Sequence, residues 1–280
     1  MKNQQNQQVV VVIGAGGIGQ AIGRRQGSSR TVLLADRNET VLKNAQDAVE
    51  AAGHSVLTHA VDVSSRESVH ALAQYAASLG DVVNVVHTAG LSPVQATPEA
   101  ILAVDLYGVA MVLEEFGDVV AGGGSGLVVS SMAGHMLPAL PAEQDQALAF
   151  TPAEELLTLP FLSAEAIPSS GLAYAMSKRA NHLRVRGAAI SWGERGARVN
   201  SISPGIILTP LAKDEMSGPG AEGYQTMIRE SAAGRVGTTD EIATAAAFLL
   251  DAGFVTGSDL LIDGGVIAAI HAGRIPLAMS

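Results

Sequence analysis

The chain has no cysteine, so disulfides, thiolate nucleophiles and cysteine-held metals are excluded. Aromatic residues are scarce at 4%, and charged residues reach only 16% against 48% hydrophobic. That balance belongs to a compact globular protein rather than a disordered one, and its many small residues let helices sit close on a sheet. Basic residues are outnumbered, 17 Lys and Arg against 27 Asp and Glu, for a net charge of -10. Such an acidic field argues against a generic phosphate-backbone binder, so no nucleic-acid partner is expected.

Long apolar runs are also missing. The most apolar stretch, Ile242 to Val255, contains Asp251 and is too short to cross a bilayer, so a buried helix and no membrane association are expected. Met1 to Gln8 is rich in Gln and Asn and lacks the apolar core of a secretory signal; it reads as a disordered lead-in, with a cytoplasmic location as the default. The 7 histidines never fall at the His-x-x-x-His spacing of a helical metal site, and no metal is expected. At 280 residues the chain is long enough for one large domain, or two small ones, with a substantial core.

What is present begins with Val9 to Ile13, an uninterrupted β-branched run of the kind found in strands covered on both faces. It empties into Gly14-Ala-Gly-Gly-Ile-Gly19. Gly14, Gly16 and Gly19 fit G-x-G-x-x-G, whose glycines allow a tight turn, close pyrophosphate approach and close helix packing; Gly17 and Ile18 complete the turn. Thr31 to Ala35 is a second strand ending at Asp36, about 20 residues further on, where a carboxylate would accept from an adenosine ribose and favour NAD. Arg37 leaves NADP open, since a guanidinium there could hold a 2′-phosphate or stack on adenine. Asp36 also competes with Asn38 for a helix N-cap.

The alternation continues with helices at about Glu39 to Ala52 and Arg66 to Leu79, and strands at Ser55 to Val61 and Val82 to His87. A βαβ series of this kind builds a parallel sheet. Asp62-Val63 and Thr88-Ala89-Gly90 follow the third and fourth strands, at the edge where open α/β sheets bind ligands. Ala100 to Val120 reads as a helix. Gly126 to Ser131 reads as a fifth strand, whose closing serines either reach a ligand or form a turn.

From about 135 to 171 runs a Pro- and Leu-rich segment too long for an ordinary loop, in which Thr151 and Glu154 make a capping box with Pro152 at the first helical position. Ala173 to Ala189 is a helix that places Tyr174 and Lys178 one turn apart on one face. A tyrosine hydroxyl, with a pKa of about 10, is a poor base near neutrality, and a nearby ammonium favours its phenolate. Ala197 to Ser203 is a strand running into Pro204-Gly205, with Thr209 close behind. Leu211 to Ser231 is polar and Gly-interrupted, and reads as mobile. Asp240 to Leu250 is an apolar helix capped by Thr239 or Asp240, Asp259 to Asp263 a last strand, and Val266 to Ser280 a tail.

With these residues in order, the chain resembles the short-chain dehydrogenase/reductase family from Val9 to Gly265. The glycine turn, Ser130-Ser-Met-Ala-Gly, Tyr174-x-x-x-Lys178, Arg198-Val-Asn-Ser-Ile-Ser-Pro-Gly and Asp263-Gly-Gly carry the resemblance. It implies an α/β fold: a single doubly wound Rossmann domain with a parallel sheet of about seven strands, order 3-2-1-4-5-6-7, and an inserted lid-like segment at about 135–171. It makes Tyr174 the general acid/base, Lys178 the group that lowers its pKa and binds the nicotinamide ribose, and Ser131 the donor to the substrate oxygen. Asp62 and Val63 would contact adenine. Thr88, Ala89 and Gly90 would lie under the cofactor, and Pro204, Gly205, Ile207 and Thr209 would form the nicotinamide-side loop.

The chain departs from the family pattern in several places. Ile13 replaces a Thr before a glycine turn that is one residue short. His87-Thr-Ala-Gly stands for Asn-Asn-Ala-Gly, which costs a structural hydrogen bond. Asp105, in Val104-Asp-Leu-Tyr-Gly, takes the place of the family's catalytic Asn; ionised, it can only accept, and it adds negative charge beside Lys178 and Tyr174. The stretch from Ser131 to Tyr174 is also long for the family. Its leucines and Phe161 suggest a cover over an apolar or bulky substrate, or else an inserted helix packed for stability or subunit contact.

The expected activity is NAD(P)(H)-dependent interconversion of a secondary alcohol and a ketone, without a metal, in a homodimer or homotetramer. The alternatives are a catalytically weakened dinucleotide-binding redox sensor or scaffold, and an isomerase or dehydratase on the same scaffold. Substrate walls are expected from 135–171, Gly90 to Ala96 and Leu211 to Gly223.

Overall fold

Val9 to Ile13 are all fully buried, because this run is an interior strand of a parallel sheet with helices on both faces. The computed structural model describes residues 7–209, 212, 216 and 221–276. Its strands are β1 (Gln8–Ile13), β2 (Thr31–Asp36), β3 (Ser55–Ala60), β4 (Asp81–His87), β5 (Val120–Val129), β6 (Arg198–Pro204) and β7 (Asp259–Ile262). They form one 7-stranded sheet in the order β3-β2-β1-β4-β5-β6-β7, every pair parallel.

Successive side chains of β1 serve opposite layers, as the strand period requires. Val10 and Val12 pack with α1 (Gly17–Gln26), α2 (Glu39–Ala51) and the Thr239–Asp251 helix. Val9, Val11 and Ile13 pack with α3 (Arg66–Leu79), α5 (Gly108–Gly117) and α8 (Ser170–Glu194). No helix among the described residues is long and apolar enough to cross a membrane.

Several element boundaries differ from the sequence expectation. Gln8, expected in the lead-in, is the first residue of β1, and the Gln7 carbonyl accepts from the Asp81 amide; Met1 to Asn6 lie outside the described residues. The expected Ala100–Val120 helix is three pieces: α4 (Pro98–Ile101), a π-helical turn (Leu102–Tyr107) and α5. β5 begins at Val120 and ends before Ser130. Its Gly122–Gly124 run has no side chains to show a strand period, and Gly123 bends it with φ +84.

Of the polar 211–231 stretch expected to be mobile, Ala221–Glu230 is helical; 211, 213–215 and 217–220 lie outside the described residues. The Thr239–Asp251 helix is capped by Thr238, in a capping box with Glu241, rather than by Thr239 or Asp240. From the tail, Val266–His271 is a helix whose Val266, Ile267 and Ile270 bury against Met132 and Ile206. The last four tail residues, 277–280, lie outside the described ones.

The 135–171 segment holds α6 (Ala142–Phe150) and α7 (Ala153–Leu156). The expected Thr151–Glu154 capping box does not form: α7 has Pro152 at its N-cap and no side-chain cap bond. Ion pairing outcompetes the local bond. Arg66 binds the Glu154 carboxylate together with Glu114 at 2.6 Å and Glu115 at 2.7 Å, and Tyr107 donates to Glu154 at 2.8 Å. Glu114 accepts from the Ala153 amide at the helix start. Leu148, Leu156, Leu162 and Ile167 enter the core shared with α5 and α8, with Phe161 and Leu159 packed at its margin.

Because Leu148 is fully buried in that shared core, Leu148→Ala is expected to destabilise the whole chain by about 2–4 kcal/mol. Denaturant unfolding should stay a single transition shifted to lower midpoint. A separate early transition would show instead that the segment is an independent unit.

Candidate active site

The turn after β1 is one that only glycine can make. Gly14 has φ +98, and a Cβ there would lie 2.5 Å from the Ala89 nitrogen and 2.6 Å from Thr88 Oγ1. The Thr88 hydroxyl donates to the Gly14 carbonyl at 2.7 Å, and the Thr88 and Ala89 amides donate to the Ile13 carbonyl. The end of β4 thus clamps the glycine turn. A Cβ at Gly19 would lie 2.1 Å from the Gly14 carbonyl oxygen, so α1 sits against the turn.

Over Gly16 the space is open, with nothing within 4 Å of a Cβ position. Gly16 caps α1 without a side-chain hydrogen bond, which leaves first-turn amides to face that space. Gly17 follows, beside Thr209 and Thr239. This cradle fits a pyrophosphate.

At the end of β2, Asp36 Oδ2 accepts from the Ala15 amide and Oδ1 from the Asn38 amide, both at 2.9 Å. Asn38, not Asp36, caps α2. A carboxylate has lone pairs beyond those two, so Asp36 can also accept from ribose hydroxyls. Arg37 is exposed, 3.8 Å from Asp62. The Ser64 hydroxyl donates to Asp62 at 2.5 Å and is the main reason its carboxyl lies below the usual range, against a partial burial penalty. Val63 is buried, with its carbonyl 3.0 Å from a Cβ position at Gly108. The residues of this end fit an adenosine.

At the same sheet edge lies a cavity of about 360 Å³. Of the residues singled out from sequence, Ile18, Thr88, Gly90, Asp105, Ser131, Tyr174, Lys178, Pro204, Gly205, Ile207 and Thr209 line it. The other glycines, with Asp36, Arg37, Asp62, Val63 and Ala89, are outside its wall.

Helix α8 starts at Ser170, capped by the Ser169 hydroxyl on the Leu172 amide, and carries Tyr174 and Lys178 into the cavity. The Lys178 ammonium lies 5.1 Å from the Tyr174 ring centroid. It is buried and pairs with Asp105 Oδ2 at 3.0 Å. Asp105 has no exposed surface, and its Oδ1 accepts from the Leu91 amide at 2.7 Å. Burial by itself would lower the Lys178 pKa, but the negative charges of Asp105 and Tyr174 outweigh it and hold the ammonium protonated. For Asp105 burial is the largest influence and pushes the carboxyl up, opposed by Lys178 and the Leu91 amide.

Asp105 rides on the π-helical turn; such turns re-aim side chains and recur at functional sites. Gly90 runs directly against the pair: a Cβ there would lie 3.1 Å from Asp105 Oδ2 and 3.2 Å from Lys178 Nζ. Ser131 lies just past β5, where its Oγ accepts from the Ala133 amide at 3.2 Å and keeps its own proton to donate. Ser130 donates to the Lys178 carbonyl at 2.8 Å and ties the strand end to α8.

The rest of the wall is mostly apolar, including Leu91, Pro93, Met132, Met136, Ile206 and Met227, with Ser130 and Tyr224 as its polar members. Met132, Ile206, Tyr224 and Met227 were missed from sequence, because they come from three separate segments, the turn after β5, the loop after β6 and the Ala221–Glu230 helix, that no common motif links. Of 135–171, Met136 and Gly171 line the cavity, while the leucines and Phe161 expected to cover it pack into the core.

His87, expected to cost one hydrogen bond, is 1% exposed, and neither ring nitrogen has a partner among the described residues. Burial first, and the Lys178 charge second, push its pKa down to about 3. Thr88, the next residue, makes the bond to the glycine turn.

The family described as "short chain dehydrogenase" matches residues 8–141, and that described as "Enoyl-(Acyl carrier protein) reductase" matches residues 142–267. The chain is 43% identical over 266 residues to "Short-chain dehydrogenase/reductase bsc3" of Alternaria brassicicola, covering 94% of this chain and 97% of that protein. It is 29% identical over 267 residues to "Galactitol 2-dehydrogenase (L-tagatose-forming)" of Cereibacter sphaeroides, covering 91% and 92%. Among solved structures, a short-chain dehydrogenase/reductase from Serratia marcescens superposes with TM-score 0.72 at 25% identity, over 93% of this chain and 98% of that one.

His87 titrates at 6.5 when unfolded and at about 3 in the fold. The unfolded chain therefore binds a proton that the folded one refuses, and stability is lost as pH falls through that window. His87→Asn is expected to flatten the fall in melting temperature between pH 6.5 and 4, where the His87 contribution is at most on the order of 4 kcal/mol. An unchanged pH profile would mean the ring is not what limits acid stability.

Proposed function

The chain belongs to the short-chain dehydrogenase/reductase family, as an NAD(P)-dependent oxidoreductase acting on a CH–OH group, and from that premise we propose that it interconverts a secondary alcohol and a ketone with Tyr174 as general acid and base. The observation that carries this reading is the meeting of Ser131, Tyr174 and Lys178 in the wall of one cavity that Ile18 and Thr88, from the glycine-turn end, also line.

The nicotinamide supplies a hydride acceptor or donor when bound. Tyr174 takes the proton of the alcohol oxygen in the oxidative direction and returns it in the reductive one. Ser131 donates a hydrogen bond to that same oxygen, and so stabilises the negative charge it develops. Lys178 supports the phenolate electrostatically and is placed to reach a ribose hydroxyl. Asp105 opposes that support, since its negative charge sits at the far side of the same ammonium. Gly14, Gly16, Gly17 and Gly19 hold the phosphates; Asp36 favours NAD, with Arg37 and Asp62 beside the adenosine.

For the substrate, the charged residues lining the cavity among those described are Asp105 and Lys178, and they pair with each other. The remaining wall is mostly methionine, isoleucine, leucine, valine, alanine and proline, with the hydroxyls of Thr88, Ser130, Ser131, Tyr174, Thr209 and Tyr224 as its polar groups. We therefore assign a neutral, largely apolar alcohol or ketone, with methionines able to adapt to its shape. Exposed Phe150, Ile190, Phe248 and Phe254 support self-association, as a dimer or tetramer.

The Asp105–Lys178 contact also favours a second reading, a dinucleotide-binding protein with weakened turnover. Titration of NADH and NADPH followed by a panel of apolar cyclic and acyclic ketones separates the two. Turnover followed at the nicotinamide band, with NADH bound more tightly, supports the leading proposal; equal or weaker NADH binding removes the role given to Asp36.

Tyr174→Phe is expected to lower kcat by about 10²–10⁴ while NADH affinity stays within a few-fold; unchanged turnover would overturn the mechanism. Asp105→Asn removes a negative charge beside the ammonium and is expected to move the acid limb of kcat/KM to lower pH. An unchanged acid limb would show instead that Asp105 is protonated and adds no charge there.

A further inference from the structure

One polar cluster takes no part in the chemistry proposed above. His135 closes the 3₁₀ turn Met132–His135 that follows Ser131, His182 lies one helical turn beyond Lys178 on α8, and Asp259 opens β7. Gly134 makes their meeting possible, since a Cβ there would lie 2.8 Å from His182 Cε1 and 2.8 Å from the Arg179 nitrogen. The two imidazole centroids are 4.6 Å apart. His135 Nε2 is 2.8 Å from Asp259 Oδ2, and His182 Nε2 is 3.6 Å from Asp259 Oδ1. One ligating atom from each of the three residues can be chosen so that all lie within 4.8 Å of one another.

We infer that His135, His182 and Asp259 form a binding site for a divalent transition metal, Zn²⁺ by its chemistry, at the junction of the Ser131 turn, α8 and β7. Two imidazoles and one carboxylate suit zinc and its first-row neighbours rather than Ca²⁺ or Mg²⁺, which take oxygen. A tetrahedral ion with bonds of about 2.0–2.1 Å needs ligating atoms about 3.3 Å apart. The imidazoles approach different oxygens of Asp259, at 2.8 and 3.6 Å, and one atom from each residue lies within 4.8 Å of the others, so side-chain rotations must draw the three together around an ion.

A second observation points the same way. Asp259 has only 7% of its side chain exposed, yet among the described residues its ion-pair contacts are to the two imidazoles and not to any Lys or Arg. A buried carboxylate whose ion-pair partners are imidazoles has no permanently charged side chain against it, a place that a metal cation fills.

Ser201 and Ser203 donate to Asp259 Oδ1 at 2.6 and 2.9 Å. They are the outer-shell bonds that orient a ligating carboxylate. Binding requires both rings to carry their proton on Nδ1, and His182 to give up its 2.8 Å bond to Ser203 Oγ. Arg179, paired with Asp145 at 3.3 Å, and Arg186 add positive charge near His182 and temper the affinity. The His135 side chain, 28% exposed, provides the entry. An ion held there would fasten the turn carrying Ser131 to the helix carrying Tyr174 and Lys178.

The test uses the untagged full chain stripped with a chelator, titrated with ZnCl₂ by calorimetry and with CoCl₂ by visible absorption. Expected are one equivalent bound at micromolar Kd or tighter, a tetrahedral Co²⁺ band, and a raised melting temperature. His135→Ala, at the exposed ligand, and Asp259→Asn should each weaken binding at least ten-fold while NADH titration confirms that the fold persists. Zinc binding weaker than millimolar, or binding that both variants leave unchanged, would overturn the site. Variants that lower the melting temperature equally with and without zinc would show a hydrogen-bonded junction and no metal site.

Discussion

The buried contact between Lys178 and Asp105 is the constraint around which the cleft is arranged. Two charges removed from water at 3.0 Å are tolerable only as a pair; losing either partner leaves an uncompensated charge at a cost of about 3–5 kcal/mol. The surrounding features are fitted to it. The π-helical turn aims Asp105, the Leu91 amide donates to its other oxygen, and Gly90 leaves room for both groups. Ser130 binds the backbone of Lys178 itself, and His87 stays neutral nearby because burial and the ammonium both oppose its protonation.

That pair also divides the electrostatics of the cleft. Lys178 faces the Tyr174 ring on one side and Asp105 on the other, so one buried ammonium contacts both the aromatic ring and the carboxylate. The glycine-turn end of the cleft is built differently, from uncharged groups: a turn clamped by Thr88 and the first-turn amides of α1. The parallel sheet joins these ends, since its strands deliver the glycine turn, Thr88, Ser131 and Pro204 to one edge, and α8 crosses beneath them with Tyr174 and Lys178.

Much of this arrangement was legible in the residues. The apolar runs ending at Gly14, Asp36 and Thr88 alternate with helical patterns, so a parallel sheet and its ligand edge follow from them, while the strand order came from the resemblance to the family. Ser131, Tyr174 and Lys178 were readable because each stands in a local pattern that sets its direction. Less legible were elements whose cause lies elsewhere in space. Glu154 abandons a capping box for Arg66, β5 runs through glycines with no period, and Phe161 packs at the margin of the core where a cover over the cavity was expected.

The sequence by itself determined the fold class, the glycine turn and the placing of Tyr174 and Lys178 on one helix face, because strand and helix periods and glycine conformational freedom are local properties of the chain. Only the tertiary structure decided that Asp105 touches Lys178 directly, that His87 is without a partner among the described residues, and that His135, His182 and Asp259 converge. Those residues are far apart in sequence. Their meeting depends on a π-helical turn and on close approaches at Gly90 and Gly134, where the absence of one carbon atom sets which side chains can reach one another.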